Sequence, residues 1–242
     1  MNKTIIIQGR ITEWTQPSIE LFQVLTDARI IVSTWQGEHI DTDVEVFYLD
    51  DPGSGPIQNF NRQLVGLNEI LQECEDGLVF KTRSDAMHSR DPFELFYNCP
   101  VDNKQLGVLN HKIFISSVMS VDPFFPIRER NATYRLFSPS DWFFLGQLTD
   151  IKEWFNIREE SAIVAGFVDC CEQIFCVSNF IKSHTGKNMN LADWNAEDNQ
   201  QMSLDFIKAN LKILHTNRTF NARVGRYMNN HDTDETYLGE GP

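Results

Sequence analysis

Residues 50–85 constrain this chain more than any other stretch, because they read in order as a strand end, a turn, an amphipathic helix, a buried strand and a charged corner, Arg83-Ser84-Asp85. Asp51-Pro52-Gly53 and Gly55-Pro56 supply the turn chemistry. Ile57, Phe60, Leu64, Leu67 and Leu71 then recur at helical spacing as one narrow apolar stripe, with Asn61 and Arg62 off it near the N-terminal end. Gly77 ends the crossover, and Leu78-Val79-Phe80-Lys81-Thr82 forms the next strand. In an open α/β sheet, ligands collect beyond the carboxyl ends of the strands. Acids and bases at successive strand ends therefore predict a pocket for a charged small molecule.

The rest of the first half fits the same plan. Residues 4–8 are a β-branched run ending at Gly9, and Ile19, Phe22 and Leu25 follow with helical spacing, Pro17 lying in the first turn. Residues 29–35 read as a fully buried strand and residues 44–49 as another. Four strand ends then converge on one edge: Gln8-Gly9, Ser33-Thr34-Trp35, Asp50-Asp51 and Arg83-Ser84-Asp85.

The second half is less regular. Asp91-Pro92 opens a short helix, residues 105–109 and 112–116 read as strands, and residues 122–126 as a loop. Ser140, Asp141 and Trp142 lead into an aromatic strand, and Leu148, Ile151, Trp154 and Phe155 continue as a helix. Residues 163–183 are mostly helical, while Met202, Phe206, Ile207, Leu211 and Leu214 mark a last long helix. No repeat or linker divides the chain, so the expected organisation is one α/β domain over residues 1–220 with a polar tail at 221–242.

Composition narrows the partners. A formal net charge of −13 argues against nucleic acid, whose phosphates need Lys and Arg gathered on one face. Arg62, Lys81 and Arg83 are a local exception that suits one phosphorylated ligand. The five cysteines have no CxxC spacing, and the first residues lack the basic and apolar run of a signal peptide, so a reducing, cytoplasmic compartment is expected. No segment approaches the roughly 20 apolar residues that span a bilayer, which leaves a peripheral contact as the available membrane role.

Each candidate has a functional and a bland reading. Asp85 would hold a divalent ion, with Arg83 and Lys81 on phosphate oxygens, or would merely cap the turn before Met87. Asp50-Asp51 would meet a ribose or base edge, or simply build a turn. Asn61 and Arg62 would combine backbone donors, helix dipole and guanidinium against a phosphate, or Arg62 would pair with Glu69 or Asp51. Asp141 would act as general base toward a hydroxyl, with Glu172 as a second acid in the cleft, or the two would be a cap and a salt-bridge partner. Trp35 would stack on a sugar or fill the core. Residues 183–188 look superficially like a phosphate loop, but Ile181 stands where its first glycine belongs and Asn188 where Ser or Thr must bind magnesium.

The order of these blocks resembles the WavE-type lipopolysaccharide synthesis family, a group of proposed bacterial glycosyltransferases. The residues carrying the likeness are Ile7-Gln8-Gly9, Ile31-Val32-Ser33-Thr34-Trp35, Leu49-Asp50-Asp51-Pro52-Gly53, Asn61-Arg62-Gln63, Gly66-Leu67, Phe80-Lys81-Thr82-Arg83-Ser84-Asp85 and Ser138-Pro139-Ser140-Asp141-Trp142-Phe143, with the Glu172-Gln173 helix as a further element. The resemblance implies a GT-A-like, Rossmann-like fold, a mostly parallel sheet flanked by helices with a helical C-terminal lobe. Residues 1–116 would be the nucleotide-sugar-binding half and 117–220 the acceptor side. It also implies a nucleotide-sugar donor, a glycan or lipid-linked acceptor, and work in lipopolysaccharide or capsule building at the inner face of the membrane. Donor binding falls to Gln8, Gly9, Thr34, Trp35, Asp50, Asp51, Asn61, Arg62, Lys81, Arg83 and Asp85, with Mg2+ or Mn2+ on Asp85. Arg83 stands where that fold usually has the first acid of an Asp-any-Asp triplet, which puts metal dependence in doubt. Rival readings are a binding relative that has lost transfer and a nucleotidyltransferase sharing Asp50, Asp51 and Asp85.

Overall fold

The computed structural model describes residues 1–55, 59–116, 137, 139, 142–157, 171–183, 197–214 and 223–224. Strands β1 (Asn2–Gln8), β2 (Arg29–Trp35), β3 (Glu45–Leu49) and β4 (Gly77–Arg83) alternate with helices α1 (Thr15–Leu25) and α2 (Phe60–Glu73). A two-residue strand β5 (Ala86–Met87) and a 3-10 turn (Pro92–Leu95) follow. Beyond them lie β6 (Ile113–Ser116), β7 (Phe143–Gln147), α3 (Leu148–Phe155), α4 (Cys171–Ser183), α5 (Glu197–Asn210), β8 (Leu211–Leu214) and β9 (Arg223–Val224).

Seven strands make one mixed sheet in the order β3-β2-β1-β4-β7-β6-β8. β1 pairs in parallel with both β2 and β4, β2 with β3, and β6 with β8; β7 alone runs antiparallel, between β4 and β6. The buried runs explain why. β1, β2 and β4 are nearly all interior residues, as strands covered on both faces must be. From β1 the chain steps outward to β2 and β3, then returns to place β4 on the other side of β1. The strand order therefore reverses between β1 and β4, and a crevice opens there at the carboxyl edge.

Alternation along the strands divides the core in two. Ile6, Ile31 and Val79 face the layer of α2, α3, α4 and α5, packing with Leu64, Leu67, Trp154, Phe175 and Phe206. Ile5, Ile7, Val32 and Phe80 face Ile19 and Phe22 of α1 and Phe93 of the 3-10 turn. Within this second cluster His88 lies between the rings of Phe22 and Phe80, 2.7 Å from the Thr82 hydroxyl, and burial pushes its imidazole pKa down to about 3. It is a neutral core histidine.

Two expectations need correction. Residues 105–109 are not a strand: Asn103 organises a turn there, its carbonyl accepting from the Leu106 and Gly107 amides and its side chain from the Gln105 amide. The last long helix stops at Asn210, and Leu211 and Leu214 belong to β8, parallel to β6. A short apolar run fits either period, and the side chain of Asn210 decides between them. Fully buried, it accepts from the Val108 amide at 2.8 Å and donates to the Leu106 and Phe206 carbonyls, each at 3.0 Å. The polar tail holds β9, which pairs antiparallel with β5 just past the Arg83-Ser84-Asp85 corner. Residues 122–126 and 184–196, with Asp141 and the rest of the tail, lie outside the described residues.

Asn210→Ala removes the three hydrogen bonds of a buried side chain and should cost about 2–4 kcal/mol of unfolding free energy. Urea unfolding measures it. An unchanged midpoint would mean that the helix-to-strand break does not depend on this side chain.

Candidate functional site

A cleft of about 730 Å³ lies over the carboxyl edge where the strand order reverses. Gln8 to Trp14, Trp35, the first turn of α2 (Asn59, Arg62, Gln63), and Lys81 with Arg83-Ser84-Asp85 line it. In register Gln8 stands beside Arg83 and Ile6 beside Lys81, so the tips of β1 and β4 present one row of polar groups. Arg10, Arg62, Lys81 and Arg83 contribute four bases to the lining against two acids, Glu13 and Asp85. The chain as a whole carries a formal charge of −13.

Local chemistry holds this corner together. β1 ends at Gly9 with φ +136°, where a Cβ would lie 2.6 Å from the Ser84 Oγ, so the close approach of the two strand tips requires glycine. The Ser84 amide donates to the Gln8 carbonyl at 3.0 Å. The hydroxyls of Thr12 and Thr15 both donate to the Ser84 carbonyl, at 3.0 and 3.1 Å. The loop after β1 thereby fixes the corner after β4.

Helix α2 is seated on the same edge. Gln8 Nε2 donates to the carbonyls of Arg62 and Gln63, and Ser33 Oγ donates to the Gly66 carbonyl at 2.6 Å. Those bonds orient the Gln8 amide, whose buried Oε1 has no hydrogen-bond partner among the described residues. No acid occupies the first turn of α2, so its positive end adds to the field at the cleft.

Two ion pairs shape the bases. Arg62 grips Asp51 with Nε and Nη2 at 2.8 and 2.6 Å, the pairing that the bland reading of Arg62 anticipated. Those bonds hold the Asp51 carboxyl down at about 2 against its ordinary 3.8; partial burial opposes them, and the Gly53 amide assists. Arg83 grips Asp85 in the same two-point manner, both contacts at 2.8 Å. Burial raises the Asp85 pKa, but the hydrogen bonds and charge of Arg83, its backbone surroundings and Lys81 together bring it below the ordinary carboxylate value. Lys81 is buried, its Nζ 5.5 Å from the centre of the Phe144 ring.

Gln8, Gly9, Trp35, Arg62, Lys81, Arg83 and Asp85, each singled out from sequence, meet in this cleft. Thr34 does not: strand alternation turns it to the face opposite Ser33 and Trp35, and it is fully buried. Asp50 and Asp51 border a separate hollow with Gln36, Tyr48 and Glu69, and the Arg62 pair links Asp51 to the cleft. Asn61 packs against the turn at Gly55. Asp141 and the side chain of Glu172 lie outside the described residues. Sequence reasoning stopped at Gly9 and passed over Arg10, Thr12 and Glu13; their place in the first strand-to-helix loop was the available signal.

The donor set at Asp85 does not fit a divalent ion. Both carboxylate oxygens already accept from Arg83, and a dication there would meet a guanidinium as its nearest neighbour. Two unit charges 4 Å apart interact by about 4 kcal/mol at an effective dielectric of roughly 20, and a dication doubles that repulsion. No group of three or more His, Cys, Asp or Glu that could hold a metal occurs among the described residues.

The family model described as WavE lipopolysaccharide synthesis matches residues 4–219 of the 242. No curated protein matches the chain. Among the described residues no helix is long and apolar enough to cross a membrane.

The pairing of Asp51 with Arg62 is open to titration. Its folded pKa lies below the unfolded one, so its stabilising effect is complete above about pH 4 and is lost as pH falls through the folded value. Carbon-detected NMR should give the Asp51 carboxyl a midpoint of about 2, rising toward 3.8 in Arg62→Gln. An ordinary midpoint in the unsubstituted protein would contradict the pair.

Proposed function

The chain belongs to the WavE lipopolysaccharide synthesis family, and from that premise we propose that it is a glycosyltransferase, moving a sugar from a nucleotide-sugar donor to an acceptor hydroxyl on a glycan or lipid-linked intermediate. The product would be a surface polysaccharide, lipopolysaccharide or capsule, built on the cytoplasmic side with at most peripheral contact with the membrane. One observation carries this reading: an acidic chain gathers four bases around a cleft at the reversal of strand order, where a nucleoside diphosphate would be received. A mostly parallel sheet interrupted only by antiparallel β7 supports a GT-A-like assignment. In it residues 1–116 bind the donor, 117–220 form the acceptor side with its helical lobe, and 221–242 are a tail.

The chemistry follows from the charges. The acceptor oxygen bonds to the anomeric carbon of the sugar, the bond from that carbon to the phosphate oxygen breaks, and the nucleoside diphosphate leaves with the electron pair. Negative charge grows on the leaving oxygen, and Lys81, Arg83 and Arg10 are the groups set to meet it. Gln8 Oε1, a buried acceptor, suits a hydroxyl or N–H of the donor.

Asp141 is assigned to take the proton of the acceptor hydroxyl, with Glu172 of α4 as a second acid. The support for Asp141 is its place in the chain, directly before Trp142 and β7. β7 runs antiparallel to β4 with Phe143 beside Thr82, so that strand begins at the carboxyl edge of β4.

A thermal-shift screen of nucleoside diphosphates and nucleotide sugars, followed by a release assay with glycan acceptors, tests the reading. The expected result is a raised melting point with at least one nucleotide sugar and acceptor-dependent release of its nucleoside diphosphate. Asp141→Ala should cut that release by about 10²–10⁴-fold while keeping the shift. Binding without release would instead identify a binding relative, and turnover of nucleoside triphosphates a nucleotidyltransferase.

A further inference from the structure

The corner after β4 departs from what a divalent cation needs. Where a GT-A-like fold usually has an acid opening the triplet, Arg83 opens it here and turns back on the third residue. Arg83 Nε and Nη2 donate to the two oxygens of Asp85, so the fork engages the whole carboxylate. The side chains remain 32% and 22% exposed, so the pair belongs to the wall of the cleft and not to the core. The corner cannot swing away easily, because the Ser84 amide is bonded to β1 and its carbonyl accepts from two threonine hydroxyls.

We propose that the cleft takes a diphosphate without a divalent cation, the Arg83 guanidinium held by Asp85 standing where a metal ion would otherwise sit. Asp85 is then a positioning residue. It fixes the plane of the guanidinium through Nε and Nη2. Lys81, one residue pair deeper on the same face of β4, and Arg10, on the loop across the crevice, add charge without geometry of their own. A fixed guanidinium also differs from a divalent metal ion in being weakly hydrated, so it has less water to shed when an anion enters.

This rests on the donor reading above, but its test separates the two. The probe is inorganic pyrophosphate, titrated calorimetrically into the full chain, once in EDTA and once in excess manganese, alongside manganese alone. The expected result is saturable pyrophosphate binding in EDTA that excess manganese, which itself complexes pyrophosphate, does not tighten, and no saturable manganese site, within the unsubstituted protein and within Asp85→Asn. Arg83→Gln should weaken pyrophosphate by about 10–100-fold, the worth of a charge-assisted hydrogen bond, with a melting curve checking the fold. Arg83→Lys, which keeps the charge and loses the fork, should recover only part of it. Binding that appears only with manganese, a manganese increment that vanishes in Asp85→Asn, or no binding in EDTA would each overturn the proposal. Metal-free pyrophosphate binding in a protein that turns over no nucleotide sugar would uphold it while removing the transferase reading.

Discussion

The parallel pairing of β4 with β1, in a register that sets Arg83 beside Gln8, is the constraint on which the rest of the molecule depends. It places two strand tips that are far apart in the chain at a single edge, and it does so where the strand order reverses, so neither tip is covered by its own crossover helix. Gly9 permits the approach by having no side chain to strike Ser84. From that contact follow the seating of the loop after β1, the anchoring of α2 through Gln8, and the direction in which Lys81 and Arg83 point. Moving β4 by one residue against β1 would turn Lys81 and Arg83 to the face of α1, against Phe22, and turn Phe80 away from it.

Charge gives that geometry its meaning. A net charge of −13 would repel anions from most of the surface, yet four bases line this edge, two of them held by carboxylates on fixed turns. Such pairs add little stability at a partly exposed site, but they fix the position of guanidinium groups that would otherwise sample many rotamers. An anion entering the cleft meets donors already in place, so less ordering is left to be done on binding. A transferase uses the same arrangement again when charge develops on the leaving group.

Much of this was legible in the sequence, for identifiable reasons. β1, β2 and β4 are long β-branched or aromatic runs bounded by Gly or Pro, and α2 has a narrow stripe, so element type and order could be read directly. Knowing that the strands are parallel was enough to place Gln8, Trp35, Lys81, Arg83 and Asp85 at one edge. Thr34 was misplaced because a strand end was treated as a point, whereas successive residues face opposite sides. Arg10 and Thr12 were missed because a short loop has no periodicity to mark it. Residues 105–109 and 211–214 went wrong for a common reason: each is a brief apolar run whose conformation is decided by a distant partner, the side chain of Asn210 or the edge of β6.

The central claim is that the β1 and β4 tips form a receptor for a diphosphate, and a crystal structure with a nucleoside diphosphate bound tests it most directly. The account predicts density for both phosphate groups over the edge between Gly9 and Arg83, within hydrogen-bonding reach of the Arg83 guanidinium. Phosphates seated elsewhere, such as the open hollow beside Lys104 and Lys208, with the β1 and β4 edge vacant, would contradict it.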